Sequence, residues 1–233
     1  DELLEAARSC ELATREGLKA QAERLISDER LREGLSELYS QQLKLYQLAD
    51  LRKDPLQFDH FSPELLRDAR EETLRLILHV ALDQEGDLRE LMSTRERFLS
   101  PRLAALYGVP APTQEGFKRV TLPEDSPRVG LLSHASLLSL NAHPTSSSAT
   151  LRGKFVRTVL LCQEIPPPPP GVDTAIPEPS GETLTLRDRV AEHLNNPTCS
   201  GCHKLLDPIG LALENYDTIG RWRERDNGAL IDA

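Results

Sequence analysis

The sequence is poor in aromatic residues, in methionine and in long apolar runs. Aromatics are 4% of its 233 residues, as five Phe, four Tyr and one Trp, so Leu and Ala carry the hydrophobic load. That composition favours helices over sheets. No apolar run reaches the ~18 residues that mark a membrane-spanning helix. Basic residues are in deficit: 28 Lys and Arg against 37 Asp and Glu give a net charge of −9. An acidic surface argues against DNA, RNA or an anionic membrane as partner. The chain has no Gly-rich phosphate loop, no Gly-x-Ser-x-Gly elbow and no His-Glu-x-x-His motif. It opens at Asp1 without a Met or a basic n-region, and it closes at Ala233 without a terminating feature. Missing sequence is therefore expected at both ends.

What is present reads as a mainly α protein in four parts. Residues 1–108 form a helical domain. Apolar stripes run through Thr14–Ser27 and on from Leu31 to about residue 50. Ser62-Pro63-Glu64 starts another helix, with Ser62 as N-cap and Pro63 at the first position. Two short helical turns fill Leu88–Tyr107, with Gly108 closing them. Carboxylate pairs such as Glu71-Glu72 read as solvated helix faces. Residues 109–165 read as a linker, with a strand at Phe117–Leu122, plus two short helices at Leu131–Asn141 and Thr150–Cys162. Thr145-Ser146-Ser147-Ser148 reads as a flexible loop. Residues 166–181 are a stiff spacer, opened by the five prolines Pro166–Pro170 in a polyproline II helix of about 15 Å. Residues 182–233 form a small helical module, cytochrome c-like, with helices at Leu184–Leu194 and from Cys199, then a turn at Asp207-Pro208-Ile209-Gly210.

The chemistry sits in that module. Cys199-Ser200-Gly201-Cys202-His203 fits Cys-x-x-Cys-His, the attachment pattern of c-type haem. Two thiols three positions apart on one helical turn can bond both vinyl groups of one haem. His203 then brings an imidazole nitrogen to the iron as proximal ligand. Its other nitrogen should donate to an oxygen that fixes the ring. A backbone carbonyl at Asp207, Pro208 or Ile209 is one acceptor, and the Asp207 carboxylate competes. A zinc site is the weaker alternative, because adjacent Cys202 and His203 rarely serve one tetrahedral ion and no second Cys pair lies nearby.

The sixth iron ligand is less legible. No Met or His follows His203. The candidates are Met92, His134, His143 and His193, or an open site. Each has a plainer reading: Met92 as core filler, His134 as a satisfied core histidine, His143 as a solvated loop residue, His193 as a neighbour of the haem edge. Arg152, Lys154 and Arg221 are candidate partners of the haem propionates, and Trp222 could pack on the haem. Arg223 and Arg225 read as ordinary surface charge. Cys10 and Cys162 are candidates for a disulfide, which an oxidising compartment permits, or for two free thiols.

These stretches resemble a known family, the large planctomycete and myxobacterial proteins built from planctomycete cytochrome C-associated domains of unknown function. The resemblance is carried by Arg102–Gly108, Gly130–Ser136, Arg152–Val156 and Leu160–Cys162 with the prolines behind it. It continues through Cys199–His203, Asp207–Gly210, Leu213–Asp217 and Gly220–Arg223, in the family's order. One departure is Ser147-Ser148-Ala149-Thr150, where the family often has Thr-Ser-Pro-Val. Family members also usually continue beyond Ile231-Asp232-Ala233. The resemblance implies an exported bacterial protein, periplasmic or extracellular, with one covalent haem c, and it supplies no reaction. The preferred reading is electron transfer to a redox partner or within a larger complex. The alternatives are a haem peroxidase or oxidoreductase with an open distal site, and a structural subunit in which haem is a staple.

Overall fold

The computed structural model describes residues 2–113, 116–166, 185–195 and 197–233. The architecture is mainly helical, as the composition requires. Helices α1 (Glu2–Arg8), α2 (Arg15–Ile26) and α3 (Leu31–Gln42) lead to the long α4 (Pro63–Leu78). Strand β1 (Glu96–Leu99), α5 (Pro101–Tyr107) and strand β2 (Lys118–Thr121) follow. Next come α6 (Ala135–Leu140), α7 (Ala149–Phe155), α8 (Leu186–Asn195) and α9 (Pro197–Leu211). Short strands β3 (Arg225–Asp226) and β4 (Ala229–Leu230) close the chain as an antiparallel pair. The polyproline segment lies largely outside the described residues.

Local chemistry sets the helix starts. Ser62 Oγ accepts from the Leu65 amide at 3.1 Å, with Pro63 and Glu64 in the first turn of α4. Thr14 caps α2 and Ser100 caps α5 in the same way. Gly108 ends α5 at φ 68, a conformation that costs glycine nothing. One expectation fails here. Residues 96–99 are a strand, not helix, antiparallel to β2 with Glu96 opposite Thr121. Four residues are too few for a periodicity signal, and the partner lies some twenty positions away. Leu131, Leu137 and Phe155, from the two short helices expected within 109–165, enter the same apolar core as Leu45, Leu76 and Ile77.

Helix α4 is the centre of the fold, and this overturns the reading of Glu72 as solvated. Leu66, Leu74 and Ile77 fill one core, while Leu65 and Ala69 fill a second with Leu103 and Ile219. Glu72 lies wholly buried between them. It accepts a 2.6 Å hydrogen bond from Tyr107 and stands 3.7 Å from Arg97 Nε. Thr73 Oγ1 is 3.0 Å from His134 Nδ1 and 2.7 Å from Ser136 Oγ. Arg128 stacks between Tyr107 and Tyr216 and donates to the Ser133 and Gly220 carbonyls. This polar seam joins residues from both halves of the chain.

Burial pushes the Glu72 carboxyl up from 4.5 to about 7. The folded chain therefore holds a proton that the unfolded chain releases between those values. The stabilisation is whole below pH 4.5 and is lost as the pH rises through about 7. Glu72→Gln, which cannot titrate, should gain stability relative to the parent across this window, by up to about 3 kcal/mol. Urea midpoints of both proteins between pH 4.5 and 7 would test this, and a constant difference would contradict it.

Candidate functional site

Two glycines place the candidate helix. A Cβ on Gly153 would collide with the Leu206 carbonyl, and one on Gly210 with the Ala149 carbonyl. Their absence lets α9 lie directly on α7, where Ala149 and Leu211 form one apolar cluster with Leu186 and Val190 of α8. The expected turn at Asp207–Gly210 is not formed, because α9 runs through Pro208 to Leu211. Proline costs the helix one hydrogen bond here. Asp207, which a following proline would push out of helical geometry, is instead pinned from two sides. Its Oδ2 is 2.7 Å from His203 Nδ1, and its Oδ1 accepts from Thr150 Oγ1 at 2.8 Å.

The arrangement around His203 follows from these contacts. Asp207 is fully buried, so its carboxylate oxygens meet His203 and Thr150 rather than water. It occupies the role left open between itself and a backbone carbonyl. An Nδ1–H directed at a carboxylate fixes the ring and its tautomer and leaves Nε2 as the nitrogen a metal would take. Cys199 and Cys202 are half-buried and unbridged. A cavity of about 240 Å3 opens beside Cys202, lined also by His203, Leu151, Leu206, His143 and Lys154, among others. Among the described residues no group of three or more His, Cys, Asp and Glu is placed to hold a metal ion.

The other predicted residues divide. His143 lines the cavity with His203. Its carbonyl accepts from Lys53 Nζ at 2.9 Å and from Thr218, so its loop is tied from both halves of the chain. Burial and the Lys53 ammonium hold its imidazole below the ordinary range. His134 is elsewhere, fully buried in the polar seam, and burial with Arg97 and Arg128 keeps it neutral. Met92 is on the surface at the end of a short 3-10 turn. His193 lies on α8, and its side chain is outside the described residues. Arg152 is not at the cavity. Its guanidinium is buried and donates to the carbonyls of Leu213, Tyr216 and Asp217, which fastens the chain after α9. Arg221 is exposed, while Trp222 packs edge-on to Tyr216 at 5.1 Å. Pro208 is exposed and Ile209 half-buried within α9. Cys10 and Cys162 are exposed, separate thiols.

Lys154 is the predicted cation that does reach the cavity. Thr150, Leu151 and Leu206 were missed. The spacing of Asp207 four residues after His203 is the signal that finds the pair on one helix face. Thr150 offers no such signal, because its contact depends on how α7 meets α9.

Fold and site together define a mainly helical chain in two interlocked halves, the second bearing a Cys-x-x-Cys-His helix. Residues 1–109 match the family PSD4, described as a protein of unknown function (DUF1592). Residues 128–226 match PSCyt3, described as a protein of unknown function (DUF1588). The chain belongs to this family of planctomycete cytochrome C-associated domains. No curated protein and no solved structure matches it.

Proposed function

We propose that the chain is an exported c-type haem protein that transfers electrons, as part of a larger protein or complex. The observation that carries this reading is the buried Asp207 carboxylate 2.7 Å from His203 Nδ1, on the helix that carries Cys199 and presents Cys202 to the cavity. The residues fit the group. Cys199 and Cys202 would bond the haem, His203 would hold its iron, and Leu151 and Leu206 would exclude water. When bound, the haem supplies a one-electron couple. Asp207 and Thr150 hold the imidazole in one orientation through each transfer, so little reorganisation is needed. Among the described residues no helix is long and apolar enough to cross a membrane.

Asp207 also favours a second reading, an oxidoreductase with an open distal site, because a carboxylate-backed histidine is a strong donor to iron. A redox titration followed by absorption separates the two. Electron transfer predicts a reversible couple and a low-spin spectrum unaffected by cyanide. A high-spin spectrum that shifts with cyanide would move the assignment to the oxidoreductase. In either case Asp207→Asn should raise the midpoint potential. Losing an outer-shell partner costs roughly tenfold or more in metal affinity. If that loss falls on the oxidised iron, each tenfold is about 59 mV. An unchanged potential would remove Asp207 from the account.

A further inference from the structure

A second cavity shares His143 with the first. It encloses about 450 Å3, and its lining includes Gln57, Ser147, Arg189, Arg223 and Asp226. The size suits a small molecule. Arg189 is the residue that its surroundings do not account for. Its side chain is 8% exposed, yet among the described residues its two hydrogen bonds are both 3.4 Å long, to Thr185 O and Asp226 Oδ2. A guanidinium has five N–H donors, and a buried one ordinarily makes short bonds to anions. Asp226 gives its close contact, 2.7 Å, to Arg223 instead. Among the described residues Asp226 is the only acid lining the cavity, so two guanidinium groups share one carboxylate. Ser147 Oγ accepts from Arg223 at 2.8 Å, which leaves its hydroxyl proton to give.

We propose that this cavity binds a carboxylate, received by Arg189 with Arg223 and Ser147 beside it. The bidentate match between guanidinium and carboxylate supplies the recognition. The hydroxyl and amide lining suits a carboxylate that also carries hydroxyl groups, such as a hexuronate. The same chemistry could come from a propionate of the haem proposed above, and only that second source rests on the haem reading.

The test is calorimetric titration with glucuronate, and with glucose as the neutral twin. It is made on the haem-loaded chain and on the same chain produced without haem attachment. Glucuronate should bind at least about tenfold more tightly than glucose, and Arg189→Gln should abolish the difference. Binding in both forms identifies a free carboxylate as the ligand. Binding in the haem-free form alone identifies the propionate. No preference in either form, or a preference that survives Arg189→Gln, overturns the proposal. If the haem-free chain does not fold, the loaded Arg189→Gln protein decides. A shifted midpoint potential then marks the propionate, and an unshifted one with no glucuronate binding overturns the site. A chain that binds glucuronate but carries no haem would fail the haem reading and keep this one.

Discussion

Gly210→Ala is expected to unseat α9 from α7 and to lower the melting temperature by about 6 °C or more. The added methyl group falls on the Ala149 carbonyl, and backbone cannot swing aside as a flexible side chain can. Overpacking costs typically 1–3 kcal/mol, and a clash with backbone belongs at the upper end. In a chain of this size each kcal/mol moves the midpoint by roughly 2–4 °C. The loss should extend to the site, because the same contact holds Asp207 between His203 and Thr150. Gly34→Ala is the control. That glycine lies inside α3 with nothing within 4 Å of the added carbon, so the substitution should stabilise slightly. Thermal unfolding of the two variants beside the parent measures both signs. A neutral Gly210→Ala would show that α7 and α9 are not in backbone contact.

The second large effect belongs to Arg97. It is fully buried and donates to the Gly130 carbonyl at 3.1 Å and to Ser133 Oγ at 2.8 Å. It also stands beside Glu72, 3.7 Å away, and that carboxylate has no other cation as close in the described residues. Arg97→Met should cost about 3–5 kcal/mol, because breaking a buried pair strands the remaining partner. Adding Glu72→Gln should recover at least about 1 kcal/mol more than the same substitution gains in the parent, since the carboxyl that Arg97 offset is then gone. Urea unfolding of the four proteins in this cycle gives the coupling directly. Strict additivity would mean that the two residues do not sense each other.

That result bears on how the two family matches relate. Glu72, Arg97 and Tyr107 fall within residues 1–109, while Arg128, Ser133 and His134 fall within 128–226. The seam between them is both polar and apolar, with Phe155 and Leu137 packed among the leucines of α4. A cut between the matches would expose that core and leave buried charges without partners. Two separately recognisable sequence units are thus one packed fold.

How far the sequence disclosed this depends on the range of each signal. Cys199, Cys202 and His203 are legible because the chemistry fixes their spacing within one helical turn. Ser62 and Pro63 are legible because a cap is a contact between near neighbours. Asp207 was in view for the same reason, four residues from His203. Pro208 misled, since the tertiary anchors that keep Asp207 helical come from another helix. Glu72 misled because amphipathicity gives a helix one buried face, and α4 is enclosed on more than one. Arg223 read as surface charge because nothing near it in sequence announces Ser147, which reaches it from another part of the chain. The strand at 96–99 is four residues long, and only its distant partner defines it.

The central claim is that Cys199, Cys202 and His203 hold a haem. The most direct test is to produce the chain in a host that attaches haem covalently. Intact mass is then recorded with the pyridine haemochrome spectrum, after denaturation. The expected result is one haem per chain that survives denaturation, and its loss in the Cys199→Ser, Cys202→Ser double variant. A parent chain of unmodified mass, with no haem absorption under the same conditions, would contradict the account.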